Sequence, residues 1–580
     1  MDKYSNKGLL IAAAAVGLGI AGDSLLRTVP WGLNVPIMGA LCVGALVFLK
    51  LKIGKDRFSL REYALLAAAL FFASWFAIRD SEPLLFLNAV AILLIGAMLL
   101  LPSLKLPIKG SGVVHYALSG IAMGLSMALL PAVVLTKDLR WNNLVTSGRS
   151  QKALLAVRGI LIAAPLVLGF GALFAAADAA FEGLVANTFE VVPQELALHA
   201  FFTAFFAWPA AGYLRALTLG ASIDGEARET EPEPEGRDFS EGGVESVTEA
   251  RSEEADNPPA FGERHIPSIT APESVDEATD ETAKNPPAEE RTDRKWSPRA
   301  LNNSLLPDFL TVGSVEVGIV LGSLNLLFLT FVLLQLPYLF GGMDLVQNQP
   351  GLKLAEYARR GFGELFFASM LVLPILLALH WLIKREADRA MSLFRYLAAI
   401  QIGLLFVIMM SAFQRMILYT GALGYGMTAE RFFPMAFMAW LAVVFLLFGY
   451  TVLRGRRSRF AWNAAVSGLA LVAVLNFVNP DDYIVRTNLE LMREGRQFDA
   501  GYNSSLSADA APALMEAFPE LNAIQQDEIL YGMTRNRCFN PPFDDLRVWN
   551  FSRSRFQATG FYREAVLNAD CSKFGSVGFD

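Results

Sequence analysis

Long apolar runs recur along this chain and constrain its fold more than any other feature. A run of roughly 17 to 25 apolar residues matches the hydrocarbon core of a bilayer, which is about 30 Å thick. Hydrophobic residues make up 54% of the 580 residues, and the mean hydropathy is +0.39. Because a lone strand would leave backbone polar groups unpaired in lipid, such runs must be helices. The sequence therefore predicts an all-α, polytopic transmembrane helical bundle.

Twelve segments are long and apolar enough to be candidate spans, seven before an acidic stretch and five after it. They are Gly8–Leu26, Val35–Leu49, Glu62–Ile78, Leu84–Leu101, Val113–Leu135, Ala153–Ala175, Ala197–Gly220, Phe309–Leu334, Gly363–Ile383, Phe394–Ala412, Phe432–Leu453 and Phe460–Val478.

Clusters of Lys and Arg between the spans predict the orientation of the bundle. Loops that are rich in these residues stay in the cytoplasm. One such loop runs from Lys50 to Arg61, and another runs from Arg454 to Arg459. We therefore expect a cytoplasmic N-terminus, a cytoplasmic acidic stretch and an extracytoplasmic C-terminus.

One candidate span does not fit this orientation. Seven crossings would place the acidic stretch outside, although both ends of the first half need the cytoplasmic side. Val113–Leu135 is rich in Gly, Ser and Ala, and Lys137, Arg140, Arg149 and Lys152 follow it. We predict that this segment is re-entrant or interfacial, which leaves eleven crossings, with twelve as the alternative.

Composition divides the chain into four parts. Residues 1–220 and 306–478 form two transmembrane halves, 221–305 form an acidic linker, and 479–580 form a polar tail. Between Ala221 and Ala300 there are 22 Asp and Glu against 9 Lys and Arg. Such a stretch cannot bury enough apolar surface to order itself, so we expect a disordered cytoplasmic linker. It is either a spacer between the halves or a partner-binding segment.

The tail is predicted to be a small, mainly helical extracytoplasmic domain. Its expected helices are Asp482–Glu494, Ala508–Phe518 and Gln525–Asn536, and Ser507 is the expected N-cap of the second. Cys538 and Cys571 both lie in the tail, where an oxidising compartment would allow a disulfide between them. The alternative is a pair of free thiols.

Polar residues inside the spans are candidate functional groups, because hydrocarbon makes them costly. Glu316 and Gln401 each lie seven residues into a predicted span, and the two spans run in the same direction. A hydrogen bond between their side chains would either hold two helices together or form part of a proton or cation site. Repeats of the form Gly-x-x-x-Gly, at Gly120 and at Gly318, favour close helix packing.

Arg359 and Arg360 precede a span on the predicted outer side, where basic residues are less common. They form either a salt-bridged helix start or a contact with an anionic ligand or lipid headgroup.

The sequence predicts no catalytic residue, metal site or cofactor. The four histidines, His115, His199, His265 and His380, lie in different segments without a second ligand at metal spacing. No phosphate-binding loop, zinc-protease motif or serine-hydrolase motif is present, and the basic loops lack the context of a nucleic-acid surface. We expect the lipid bilayer as a partner and no nucleic acid.

A series of phrases in the second half carries a family resemblance. They include Tyr338-Leu339-Phe340-Gly341-Gly342, Glu356 to Phe362, Tyr425-Gly426-Met427-Thr428 with Arg431, Asn479-Pro480-Asp481 with Asn488, and Leu506 to Ala510. Between Phe309 and Phe551 the chain resembles the bacterial polytopic membrane family labelled domain of unknown function 4153/4173. Gly22-Asp23 and Pro30-Trp31 also look familial. The resemblance implies a bacterial envelope membrane protein, and it brings no activity and no active-site residues.

Two functions follow as expectations. The first is a non-catalytic scaffold or accessory subunit of the bacterial inner membrane, with a membrane or envelope protein as its partner. The alternative is an ion- or proton-coupled transporter or permease that uses an intramembrane carboxylate.

Overall fold

The structure is a computed structural model that describes residues 5–53, 57–139, 194–221, 311–340, 354–383, 388–422, 425–539, 545–559 and 562. Helices dominate these ranges, which contain no strand and one isolated bridge, between Val312 and Ile383. The predicted all-α fold is confirmed for them. The linker from residue 222, the candidate span Ala153–Ala175 and Cys571 lie outside the described residues.

Six helices form the described part of the first half. They are α1 (Ser5–Leu26), α2 (Asn34–Ile53), α3 (Leu60–Ser74), α4 (Glu82–Leu100), α5 (Val113–Val133) and α6 (Gln194–Thr218). Local sequence fixes several of their starts. Ser59 and Glu62 form a capping box at the start of α3, and a proline stands in the first turn of α4.

Five helices form the described part of the second half. They are α7 (Ser314–Phe340), α8 (Leu354–Leu382), α9 (Asp388–Ile417), α10 (Ala429–Thr451) and α11 (Phe460–Val478). Within the described residues, 10 helices are long and apolar enough to cross a membrane. Each coincides with a span predicted from the sequence. The predicted span Ala197–Gly220 is also helical, as α6, although it is not among those ten. The chain is a multi-pass membrane protein.

The tail packs against one end of the helical bundle, which we call the tail side. The backbone N–H of Leu33, between α1 and α2, donates to the carbonyl of Trp549 at 2.9 Å. The backbone N–H of Ser81, between α3 and α4, donates to Asp509 at 2.9 Å. The loop before α10 reaches the tail through Met427, whose N–H donates to Asn488 at 2.6 Å. Loops from both halves therefore meet the tail at the same end of the bundle.

The other end of the bundle, the opposite side, is held by different contacts. Lys50 at the end of α2 donates to the carbonyl of Leu217 at the end of α6, at 3.3 Å. The N–H of Val312, before α7, donates to the carbonyl of Leu382 at the end of α8, at 2.9 Å. The end of α6 and the start of α7 therefore both lie on this side.

Helix α5 is continuous and runs on through a π-helical turn, Val134–Asp138. It follows α4, which leads away from the tail side. Its end also lies on the opposite side, because Asp138 pairs with Arg215 near the end of α6. Gly8, near the start of α1, lies against the backbone oxygen of Asp138, where a Cβ would clash. Both ends of α5 therefore lie away from the tail side.

The described tail contains α12 (Pro480–Arg493), α13 (Ala500–Ser504), α14 (Ala511–Ala517), α15 (Ala523–Phe539) and α16 (Phe551–Gln557). Helices occur at all three predicted positions. The predicted N-cap is wrong, because α14 begins at Ala511 and the hydroxyl of Ser507 donates to Asp481 at 2.5 Å instead. Residues such as Val485, Leu514 and Ile529 form a separate tail core.

Candidate functional site

The structure separates Glu316 from Gln401, and the predicted hydrogen bond between them is not formed. Helix α7 begins at Ser314, so Glu316 is its third residue. Its Oε2 accepts from the backbone N–H of Gly313 at 3.0 Å. A glutamate at this position commonly bonds back to the residue before the helix. Glu316 therefore caps the start of α7 and does not lie deep in a span.

Gln401 lies inside the second half, on α9, with 1% of its surface exposed. Neither its Nε2 nor its Oε1 has a hydrogen-bond partner among the described residues. It remains a candidate intramembrane polar group, but without Glu316.

Three other predicted site residues lie in described helices, but their side chains are outside the described part of the structure. Arg359 and Arg360 fall in the first turns of α8, and Cys538 falls in α15. The anion or lipid contact and the disulfide with Cys571 stay predictions.

The strongest concentration of buried polar groups lies on the tail side, around Asp509. Its Oδ2 accepts from the backbone N–H groups of Asp80 and Ser81, at 2.7 and 2.9 Å. Its Oδ1 accepts from the hydroxyl of Ser552 and lies 3.6 Å from Nη1 of Arg79. The Asp509 side chain is fully buried. One tail carboxylate thus holds the loop between α3 and α4.

Asp481 forms a second anchor close to Asp509. The hydroxyl of Ser81 donates to its Oδ1 at 3.2 Å, and the hydroxyl of Ser507 donates to its Oδ2 at 2.5 Å. Asp481 stands in the first turn of α12, where a carboxylate is favoured by the helix dipole.

Asp80 completes a cluster of three carboxylates, which we call the aspartate cluster (Asp80, Asp481 and Asp509). Its Oδ1 lies 3.4 Å from Nε of Arg553, and its Oδ2 accepts from the N–H of Ala508 at 3.4 Å. Burial raises the pKa of Asp80 to about 6, and the neighbouring Asp509 and Asp481 add to the rise while Arg553 opposes it. Burial also raises the pKa of Asp481. Asp80 therefore changes its charge in mildly acidic solution.

Asn550 and Ser552 fasten the end of α3 from the tail. The Asn550 amide donates to the carbonyls of Phe76 and Arg79, at 3.0 and 2.8 Å. The Ser552 hydroxyl lies 3.0 Å from the carbonyl of Ile78. Asn550 also caps α16, because its Oδ1 accepts from the N–H of Arg553 at 3.1 Å.

A second polar contact joins the tail to the second half. The side chain of Asn488 accepts from the N–H of Met427 at 2.6 Å and donates to its carbonyl at 2.9 Å. Close by, Arg431 donates to the carbonyl of Tyr425 at 2.8 Å and lies over the ring of Tyr419. The tail is therefore bound to both transmembrane halves.

The aspartate cluster borders a cleft of about 1240 Å³ between the tail and the loops of the first half. Aromatic rings of Trp31, Tyr531 and Phe556 line part of it. Its charged lining residues are mostly acidic: Asp80, Glu82, Asp481, Asp527 and Glu528 against Arg535 and Arg553. Among the described residues, no three His, Cys, Asp or Glu side chains are placed to hold a metal ion. The cleft suits a ligand or chain segment with apolar and basic groups.

Comparison with family models decides the family. The model described as domain of unknown function (DUF4153) matches residues 65–248 and 281–517, well over half of the chain. This chain belongs to the DUF4153 family. The match extends the resemblance into the first half and part of the linker, which the sequence phrases did not cover. A search of the curated proteins and a search of the solved structures found no match.

The matched regions of this DUF4153 protein include all three members of the aspartate cluster, whereas Asn550 and Ser552 lie beyond them. Asp481 and Asp509 fall within the family phrases of the sequence, but the phrases do not indicate what these carboxylates contact. The sequence does not mark Asp80 as a site residue, because a single sequence does not show which residues more than four hundred positions away it contacts.

Proposed function

We propose that this DUF4153 protein is a non-catalytic scaffold or accessory subunit of the bacterial inner membrane. Its tail would present the cleft at the outer surface to a segment of an envelope protein. The observation that carries the proposal is the attachment of the tail. Buried bonds from Asp509, Asn550 and Asn488 fix it to both halves, so that the cleft is a permanent feature of the surface.

Charge supports this orientation. The opposite side carries the basic residues, with Lys50 and Lys52 in the last turn of α2 and four arginines from Arg454 to Arg459. The positive-inside rule assigns that side to the cytoplasm. The tail side then faces outward, and the linker lies in the cytoplasm.

The position of α5 supports eleven crossings. Since both of its ends lie away from the tail side, α5 adds no crossing, and α6 can return the chain to the cytoplasmic side. A tag after Leu139 should be inaccessible from outside intact cells. Labelling of that tag by an impermeant reagent would contradict this topology.

The transporter alternative has less support. It depended on Glu316 as a carboxylate deep in a span, and Glu316 instead accepts a hydrogen bond at the start of α7. Gln401 is buried in the bundle but has no titrating proton.

Site-specific photocrosslinking tests the accessory role. A photoreactive phenylalanine analogue replaces Ile524, which lines the cleft and is 73% exposed. The matched control replaces Leu546, which is 76% exposed on the tail but does not line the cleft. Illumination of intact cells should give one discrete crosslinked protein from position 524 and much less from 546. Equal adducts from both positions, or none from position 524, would contradict the proposal.

A further inference from the structure

Three polar side chains whose buried atoms have unmet hydrogen bonds lie together within α7, α8 and α9. Among the described residues, Asn325 Oδ1, His380 Nδ1 and both amide atoms of Gln401 lack partners. Asn325 bonds to the carbonyl of Leu397, and His380 lies against the ring of Phe394. Phe394, Leu397 and Gln401 follow one another on one face of α9, at helical spacing. The unmet groups therefore lie along a single interior track.

Gln401 is the member of this track that faces a cavity. The cavity measures about 120 Å³ and lies between α7, α8 and α9. Its other lining residues are all apolar: Leu321, Leu324 and Phe328 on α7, and Ala368, Leu371, Val372, Ile375 and Leu376 on α8. A primary amide thus projects into an otherwise apolar space.

Both amide atoms of Gln401 need partners. An unpaired buried polar group costs free energy, and the cost is greater in a medium of low dielectric. Volume alone would admit several water molecules, but each buried water needs about two to four polar partners. One amide cannot supply a cluster of waters. The lining favours an occupant with one polar group and an apolar body.

The position of the cavity restricts the polar group further. Gln401 is the fourteenth residue of α9, which places it about 20 Å along the helix from Asp388. That depth is hydrocarbon, and no charged residue lines the cavity. Phospholipid headgroups are too polar to reach it without great cost. A neutral hydroxyl can accept a hydrogen bond from Nε2 and donate one to Oε1.

The cavity also borders the surface that lipid would cover. Leu371, one of its lining residues, is 61% exposed within the described part of the chain. A molecule dissolved in the bilayer can therefore enter from the side, between α7 and α8.

We propose that the cavity at Gln401 is a binding site for a membrane-dissolved neutral lipid with a hydroxyl head and an apolar chain. The Gln401 amide binds the hydroxyl, and the apolar residues of α7 and α8 contact the chain. The site is independent of the tail-side cleft and of the proposed accessory role.

Photolabelling of the full-length protein in lipid nanodiscs tests the site. The probe is a long-chain primary alcohol with a diazirine on its chain, and the comparison probe is its methyl ether, which cannot donate a hydrogen bond. After illumination, peptide mass spectrometry measures the labelled fraction of α7 and α8. The alcohol should label these helices about tenfold more than the ether, as the loss of one net hydrogen bond would give.

Three variants make the result specific. Gln401→Leu should lower labelling by the alcohol about tenfold and leave labelling by the ether unchanged. Ala368→Leu should lower labelling by both probes, because it fills the cavity. Leu446→Ala, on the exposed surface of α10, is the matched control and should change neither.

Stability gives a second readout that does not depend on the probe. Leucine is similar in size to glutamine and removes the unmet amide, so in detergent free of the alcohol and of added lipid Gln401→Leu should unfold at the same temperature as the wild type or higher. Equal labelling by alcohol and ether, unchanged labelling of folded Gln401→Leu, or absence of label from α7 and α8 would each overturn the proposal. A lower unfolding temperature for Gln401→Leu in the same lipid-free detergent would also overturn it, because the amide would then have protein partners.

Discussion

Asn88 on α4 and Asn476 on α11 exchange two side-chain hydrogen bonds, of 2.9 and 2.8 Å, and both residues are fully buried. The pair joins the two transmembrane halves directly. Arg79, in the loop between α3 and α4, also donates to the carbonyl of Asn476, at 2.9 Å. The halves are therefore joined within the bundle as well as through the tail.

Replacement of one asparagine should show how much this pair contributes to the free energy of unfolding. Asn88→Leu leaves the Oδ1 of Asn476 without its donor in an apolar region, although Nδ2 keeps its bond to the carbonyl of Val472, and it should lower the free energy of unfolding by about 1–2 kcal/mol. Asn88→Leu/Asn476→Leu removes both amides and should recover most of the loss. Unfolding of the purified protein in detergent measures both effects.

The matched control is Ser323→Ala, which removes only a local bond to the carbonyl of Val320 on an exposed face. It should change stability by less than about 0.5 kcal/mol. A double mutant that is less stable than both single mutants would show that the amides do not act as a pair.

Asp509 should be the most sensitive residue of the tail. Asp509→Ala leaves two backbone N–H groups without their acceptor and removes the buried carboxylate that pairs with Arg79, so docking of the tail should weaken by about 3–5 kcal/mol. Asp509→Asn keeps one acceptor oxygen and should lose less. The rate of limited proteolysis between the bundle and the tail measures docking.

Asp482→Ala is the matched control for Asp509. Asp482 also lies in the tail, but its one ion pair among the described residues is with Arg486, one turn along α12, at 2.8 Å. Such an exposed pair contributes less than about 1 kcal/mol. Similar proteolysis of Asp509→Ala and Asp482→Ala would contradict the anchoring role of Asp509.

The spans could be predicted from sequence, and the tail contacts could not. Lipid requires about twenty apolar residues whatever their partners, so α11 begins and ends at the predicted residues Phe460 and Val478. The expected depth of Glu316 is wrong because the apolar run starts at Phe309, whereas the helix begins five residues later, at Ser314. Glycine and glutamate at the helix start are a sequence signal that could have corrected this.

The Gly-x-x-x-Gly repeat at Gly120 does not mark a close helix contact in the structure, whereas some single glycines do. Within the described residues, a Cβ on Gly120 or Gly124 would meet no atom within 4 Å. Close approach occurs instead at Gly19 and Gly212, where neighbouring backbone leaves no room. The repeat identifies a small face of a helix, but the position of the neighbouring helix decides whether that face is used.

Asp80 should make the stability of the tail contact depend on pH. Its pKa is about 6 in the folded protein and lies near 4 in an unfolded chain, so the folded state binds the proton more tightly. The resulting stabilisation is complete below about pH 4 and is lost as the pH rises through about 6. The loss is at most about 3 kcal/mol, and the unfolding temperature measured from pH 4 to pH 8 should fall accordingly.

Asp80→Asn keeps the uncharged form at every pH, so it should flatten this profile and raise stability at pH 8. Asp482→Asn should leave the profile unchanged. A profile of Asp80→Asn that matches the wild type would show that another group titrates in this range.

The buried ion pair between Asp138 and Arg215 should control the opposite side of the bundle. Their side chains are 4% and 1% exposed, and Nε lies 2.6 Å from Oδ2. Arg215 also donates to the carbonyl of Gly220, one residue before the described segment 194–221 ends. Arg215→Met leaves a buried carboxylate unpaired and should cost about 3–5 kcal/mol, whereas Asp138→Leu/Arg215→Met should recover most of it.

Because this pair joins the ends of α5 and α6, its loss should also increase cleavage after Leu139 by protease added to inside-out vesicles. Cleavage equal to that of the wild type would show that the pair does not hold the end of α5 against α6.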